Sequence, residues 1–323
     1  MPDLPALSPL RTASVHMLAR WMGERFYRTF RLAEDDRAPF DAVLQQRERR
    51  VGVTAGVLWD EAVAAPGAAT LAEMLTSDAA AEPGIEDGAY AIWVPPQATL
   101  PTEEPGVSNL RIFLTNGLKY MQPGERREVR LPVSVKLAKM DTEGAYVSVT
   151  GGLSSQWLAM SDGMPGSYHL DSRSIHRLSE EEAETEILVT RVRDRAAVLQ
   201  PGELSDVPLH DYWLVSRLPD TTPPGVTVIA APPQVDPLDG TGIRRHFRRE
   251  VQRAVDQKQQ GDADLAVLVV TAPVAHMKDE LVTASLKGMN PVLYGALDLV
   301  ALVADGAVRQ VLQPRSLPWE EPR

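Results

Sequence analysis

The 323-residue chain contains no cysteine. Disulfides, thiolate metal sites, iron–sulfur clusters and cysteine nucleophiles are therefore excluded. Aromatic residues make up only 6%, and no apolar run reaches the roughly 18 residues that a membrane span requires. The first ten residues, MPDLPALSPL, lack the basic start and apolar stretch of a secretory signal, so the cytoplasm is the expected location and no membrane partner is expected. Nucleotide loops are missing as well. There is no G-x-x-x-x-G-K-[ST] and no G-x-G-x-x-G between a strand and a helix.

Charge of one sign is missing locally. Residues 51–109 hold no lysine or arginine against nine acids, and this stretch alone supplies −9 of the formal −11. A net charge of that sign argues against a surface built to coat nucleic acid or anionic membrane. The opposite extreme lies at residues 243–258, where Arg244, Arg245, Arg248, Arg249, Arg253 and Lys258 face only Glu250 and Asp256.

Ser8 followed by Pro9 is an N-cap with proline at the first helical position. Leu10, Met17, Leu18, Trp21, Met22, Phe26 and Phe30 then recur at helical spacing, which predicts a core-facing amphipathic helix. A shorter helix is expected over residues 39–50, a buried strand over 51–59, a short helix over 70–75 and a strand over 89–94. Residues 95–106 are proline-rich and read as a linker or exposed loop.

From residue 110 the pattern changes. RIFLTNG reads as a strand closed by an Asn116–Gly117 turn. In VRLPVSVKL, Val129, Leu131, Val133, Val135 and Leu137 alternate onto one side, and AYVSVT follows as the second arm of a hairpin. SYHLDSRSIHRL, ILVTRVRDRAAVL and YWLVSRL supply further strand candidates. Residues 226–230 (VTVIA) add a strand, 243–260 a helix, 263–272 a buried strand and 278–286 a short helix. A hairpin closes at Asp305–Gly306. The expected fold class is α/β in the mixed α+β sense. Segments 1–109 and 219–323 share a helix–strand grammar, which favours one α/β body built from both chain ends around a mainly antiparallel β middle at 110–218 over three consecutive small units.

Few residues suggest chemistry. Gly151–Gly152 reads as a bulge or hairpin. Gly240-Thr241-Gly242 precedes the basic helix, where backbone N–H groups could hold an anion. His169 and Asp171 would share a strand face while His176 points away, so these read as separate polar residues, and no metal or cofactor is expected. The arginines Arg245, Arg249 and Arg253 stack at i, i+4 and i+8, with Arg244 and Arg248 in a neighbouring row. Guanidinium forks suit phosphate and carboxylate alike. The overall acidity and the missing aromatic interleaving favour an acidic protein surface, on a partner or on residues 51–109, over nucleic acid.

Near the C-terminus, GALDLVALV with Asp298, the Asp305–Gly306 turn and VRQVL resemble the opening hairpin of PD-(D/E)xK nucleases. The resemblance covers about 20 residues. It implies a metal-dependent hydrolase in which Asp298 and an upstream helical acid, Glu250, hold a divalent cation. Where that family carries E-x-K, this chain reads Gln310-Val311-Leu312-Gln313-Pro314. Without a second carboxylate and a lysine, the cation is poorly held and its water poorly activated. No catalytic residue is assigned. The expected function is a non-catalytic interaction or assembly subunit of a cytoplasmic protein complex, with Arg244, Arg245, Arg248, Arg249 and Arg253 as the partner- or anion-binding set. The alternatives are a hydrolase with a degenerate nuclease-like site, and a sensor of small anionic ligands.

Overall fold

Three buried parallel strands, drawn from opposite ends of the chain, form the middle of one six-stranded sheet. A computed structural model describes residues 7–33, 37–63, 65–162, 164–236, 239–272 and 291–320. The fold is mixed α/β, with two mixed sheets of six strands each and seven α-helices among the described residues. The chain divides into two compact units, residues 1–126 with 215–323, and residues 127–214. Among the described residues no helix is long and apolar enough to cross a membrane.

In the first unit, strands β1 (Arg31–Leu32), β2 (Ala42–Gln46), β3 (Arg49–Val57), β10 (Leu265–Thr271), β11 (Leu299–Ala304) and β12 (Ala307–Leu312) form one sheet in the order β1-β2-β3-β10-β11-β12. β3, β10 and β11 are parallel, with Val51 opposite Leu265 and Val267 opposite Leu299. Antiparallel hairpins flank them on both sides. Continuous apolar runs such as LAVLVVT suit this position because both faces are covered. Helix α1 (Pro9–Phe26) packs on one face, where Ser14 Oγ meets Thr271 Oγ1 at 2.7 Å. Helix α6 (Gly240–Gln260) packs on the other through Ile243, Phe247, Val251, Ala254 and Val255, against Leu268, Val270, Val300 and Leu302.

Ser8 caps α1 as its sequence requires, and the helix ends at Phe26 on Tyr27, whose backbone is left-handed. Phe30 lies beyond the helix and is buried against Trp319. The helix expected over 39–50 is instead the β2–β3 hairpin, turning at Arg47 and Glu48. Ala42, Val43 and Leu44 are all buried, so no alternation marks them as a strand. The rest of this unit's helices are α2 (Ala68–Ala81), α3 (Gly106–Leu118) and the short α7 (Pro291–Tyr294), and strand β4 (Ala89–Trp93) pairs parallel with β9 (Gly225–Ile229). RIFLTNG lies within α3. Leu110, Leu114 and Leu118 recur every four residues on its buried side, and the helix runs through Asn116–Gly117. The short helix expected over 278–286 lies outside the described residues.

The second unit contains β5 (Arg126–Asp141), β6 (Ala145–Gly151), β7 (Gly166–Ser172), α4 (Trp157–Ser161), α5 (Glu182–Val198) and most of β8 (Leu204–Arg217). The alternation of β5 holds, with Val129, Leu131, Val135 and Leu137 buried. The expected β5–β6 hairpin does not form, because β7 lies between them, antiparallel to β5 and parallel to β6. ILVTRVRDRAAVL is helix rather than strand. Leu188, Val189, Val192 and Ala196 are its buried stripe, and Glu182 and Glu184 sit in its first turn, where the helix dipole favours negative charge.

Candidate functional site

Helix α6 begins on Asp239, whose Oδ1 accepts the Thr241 N–H at 3.0 Å. A Cβ at Gly242 would collide with the other oxygen of the same carboxylate. Asp239 thus supplies the negative charge that the helix N-terminus attracts, at the position considered for a bound anion. Further along, the apolar stripe is interrupted by Glu250, which is 2% exposed. Its carboxylate accepts from Arg249 Nε at 3.0 Å and from Arg253 Nε at 3.0 Å. It fits because β3 carries Gly56 beneath it, where a Cβ would stand 2.6 Å from Glu250 Oε2.

The pairing extends past the helix. Arg253 donates to Asp41 Oδ2 and to the Ala55 carbonyl, both at 2.6 Å. Asp41 also accepts the Ala55 N–H at 2.7 Å and lies 3.8 Å from Arg11, which is hydrogen-bonded to Glu61. Arg249 reaches the Trp59 carbonyl at 3.4 Å. Glu61, Arg11, Asp41, Arg253, Glu250 and Arg249 therefore form a chain of alternating sign. Burial opposes the Arg11 charge, but Glu61, Asp41 and Glu250 outweigh it and raise its pKa above the ordinary arginine value.

The five candidate arginines are thus divided by the fold. Arg253 turns toward Glu250, Asp41 and the Ala55 carbonyl of β3, and Arg249, although exposed, bonds Glu250 and the Trp59 carbonyl. Arg244 is half-buried, and Arg245 and Arg248 are exposed. His246 lies between them. Burial, reinforced by Arg249 and Arg245, lowers its pKa below 6.5, so the imidazole is neutral near pH 7.

The nuclease-like pair is not brought together. Asp298 is 6% exposed, accepts the Ala266 N–H at 2.8 Å and pairs with Lys258 Nζ at 2.9 Å. Ala266 is in register with Gly52 of β3, whereas Glu250 packs over Gly56. Four residues along a strand separate the two acids by about 13 Å. Gln310, where the family has its second acid, lies opposite Ala301 and is exposed. Among the described residues no group of three His, Asp or Glu is placed to hold a metal. Lys258 supplies a lysine beside Asp298, but from a helix 40 residues upstream, a proximity that motif spacing does not reveal.

The remaining candidates are engaged separately. His169 and Asp171 share a face of β7. His169 meets Ser148 Oγ at 3.4 Å, and Asp171 forms a bidentate pair with Arg173 that pulls its pKa to about 2. His176 lies past the strand, with its N–H and Nδ1 on Asp211 at 2.9 and 3.2 Å. Gly152 donates to the Ser172 carbonyl in a tight turn against β7. Four of the nine acids of 51–109 meet cations outside α6: Glu61 meets Arg11, Asp78 meets Arg111, Glu82 meets Lys119 and Glu86 meets Arg217. From α6, that stretch receives arginine contacts at the Ala55 and Trp59 carbonyls. Sequence reasoning missed Asp41 and Arg11, which complete the network around the buried Glu250, because their partners lie more than 200 residues away or on another element.

No family model matches the chain, and neither characterised proteins nor solved structures give a significant match.

Proposed function

We propose that the chain is a cytoplasmic, non-catalytic interaction subunit that presents the solvent face of α6, with Arg245 and Arg248 at its centre, to an acidic surface of a protein partner. The observation that carries this reading is the division of the arginines. Arg253 ties the helix to β3 at the Ala55 carbonyl and to Asp41, Arg249 bonds Glu250 and the Trp59 carbonyl, and Arg245 and Arg248 stand exposed beside a neutral His246. Arginine on a fixed helix loses less freedom when it pairs with a carboxylate than lysine on a mobile loop does. The hydrolase reading is weaker because Asp298 and Glu250 are each spent on a cation and lie apart. The anion-sensor reading is weaker because the Asp239 carboxylate fills the helix start.

Affinity capture from the native host, with the wild type and with Arg245→Glu/Arg248→Glu, tests the proposal. The wild type is expected to retain a stoichiometric protein partner that the folded variant loses. Absence of such a partner, or its equal retention by the variant, would overturn the proposal.

A further inference from the structure

A second cationic region lies away from α6. Where α1 ends, the chain turns through Tyr27 and Arg28 into β1, and β1 pairs with β2 so that Arg31 stands opposite Gln45. The β2–β3 turn brings Arg47 to the same place. These elements enclose an open cleft of about 680 Å³, within the roughly 300–1,000 Å³ of small-ligand sites. Arg28, Arg31 and Arg47 line it together with Thr29 and Gln46, and no carboxylate lines it among the described residues. A local excess of three positive charges stands out in a chain of net −11.

Cations near the end of α1 would by themselves be explained by the helix dipole, and this covers Arg28. It does not cover Arg31 or Arg47, which come from β1 and the β2–β3 turn. One further feature points to a ligand. Gln46 lines the cleft although it is only 6% exposed. Trp319 Nε1 donates to its Oε1 at 2.9 Å. Because an indole N–H can only donate, this bond fixes the amide orientation and leaves the Gln46 NH₂ as a donor. The cleft thus offers guanidinium, amide and hydroxyl donors, with no competing acid among the described residues.

We infer that this cleft binds a small phosphate-bearing polyanion. Arg31 and Arg47 carry the charge recognition from two sides, and Gln46 and Thr29 donate to the remaining phosphate oxygens. The site is distinct from the arginine face of α6.

Calorimetric titration of the full chain with inorganic pyrophosphate tests the inference. Saturable one-to-one binding that weakens with salt is expected. Arg31→Gln and Arg47→Gln should each weaken it about tenfold or more with an unchanged unfolding midpoint, whereas Lys136→Gln in the second unit should bind like wild type. Citrate, a polyanion without phosphate, should bind more weakly than pyrophosphate. Absence of saturable binding, equal binding of citrate, or unimpaired binding by both arginine variants would overturn the inference.

Discussion

The arginines of α6 and those of the α1–β2 cleft differ in what answers their charge. On α6, Arg249 and Arg253 meet Glu250 and Asp41, and the cations are part of the packing between helix and sheet. In the cleft, Arg28, Arg31 and Arg47 surround open volume with no acid in the lining among the described residues. The denser cluster in the sequence is therefore the more structural one, and the dispersed cluster is the more available. Charge density along the chain says where cations are made. Only the placement of acids says which of them remain to bind something else.

The largest effect is expected from removing the acid at the centre of the network. Glu250→Ala leaves Arg249 and Arg253 without their buried counter-charge. It should cost about 2–4 kcal/mol in urea unfolding, somewhat below a fully buried pair because both arginines keep partial solvent access. A loss under about 1 kcal/mol would mean that the network does not hold α6. Gly56→Ala probes the same contact from the sheet side and should cost about 1–3 kcal/mol. In the Glu250→Ala background most of that cost should vanish, because the collision is with the Glu250 side chain; additive losses would break the argument.

A smaller, global effect follows from the histidines. Burial lowers the pKa of His16, His210 and His246 below the ordinary 6.5. The unfolded chain therefore binds protons at a higher pH than the folded one. The stability these groups contribute is present above about pH 6.5 and is lost as the pH falls through their lowered folded values. The unfolding midpoint should drop between about pH 7.5 and pH 5.5; a rise over that interval would contradict the assignment. The smallest effect on stability belongs to the cleft. Arg31→Gln should change the unfolding free energy by no more than about 0.5 kcal/mol, in contrast to Glu250→Ala, and a large loss would show that the cleft arginine is structural after all.

The α/β class, the cap of α1, the buried β3 and β10 runs, α6 and the Asp305–Gly306 hairpin were legible because local pattern and tertiary burial agree there. They disagree elsewhere. β2 is buried on both faces and shows no alternation, so residues 39–50 were read as helix. The β-branched run at 187–199 suggested a strand, although Leu188, Val192 and Ala196 have helical spacing. The pairing of β6 with β7 is a tertiary choice that no local turn signal carries. At the candidate site the arginine rows were visible, but their division was not. It depends on Asp41 and Gly56, which lie about 200 residues upstream of α6. The cleft was invisible for the same reason, since Arg28, Arg31 and Arg47 meet only after β1 and β2 pair.

Equilibrium unfolding of Arg253→Gln beside Arg245→Gln tests most directly the claim that the fold divides α6 into anchoring and presented arginines. Arg253→Gln should lose about 1–3 kcal/mol and Arg245→Gln no more than about 0.5 kcal/mol. Equal losses in the two variants, or a larger loss in Arg245→Gln, would contradict it.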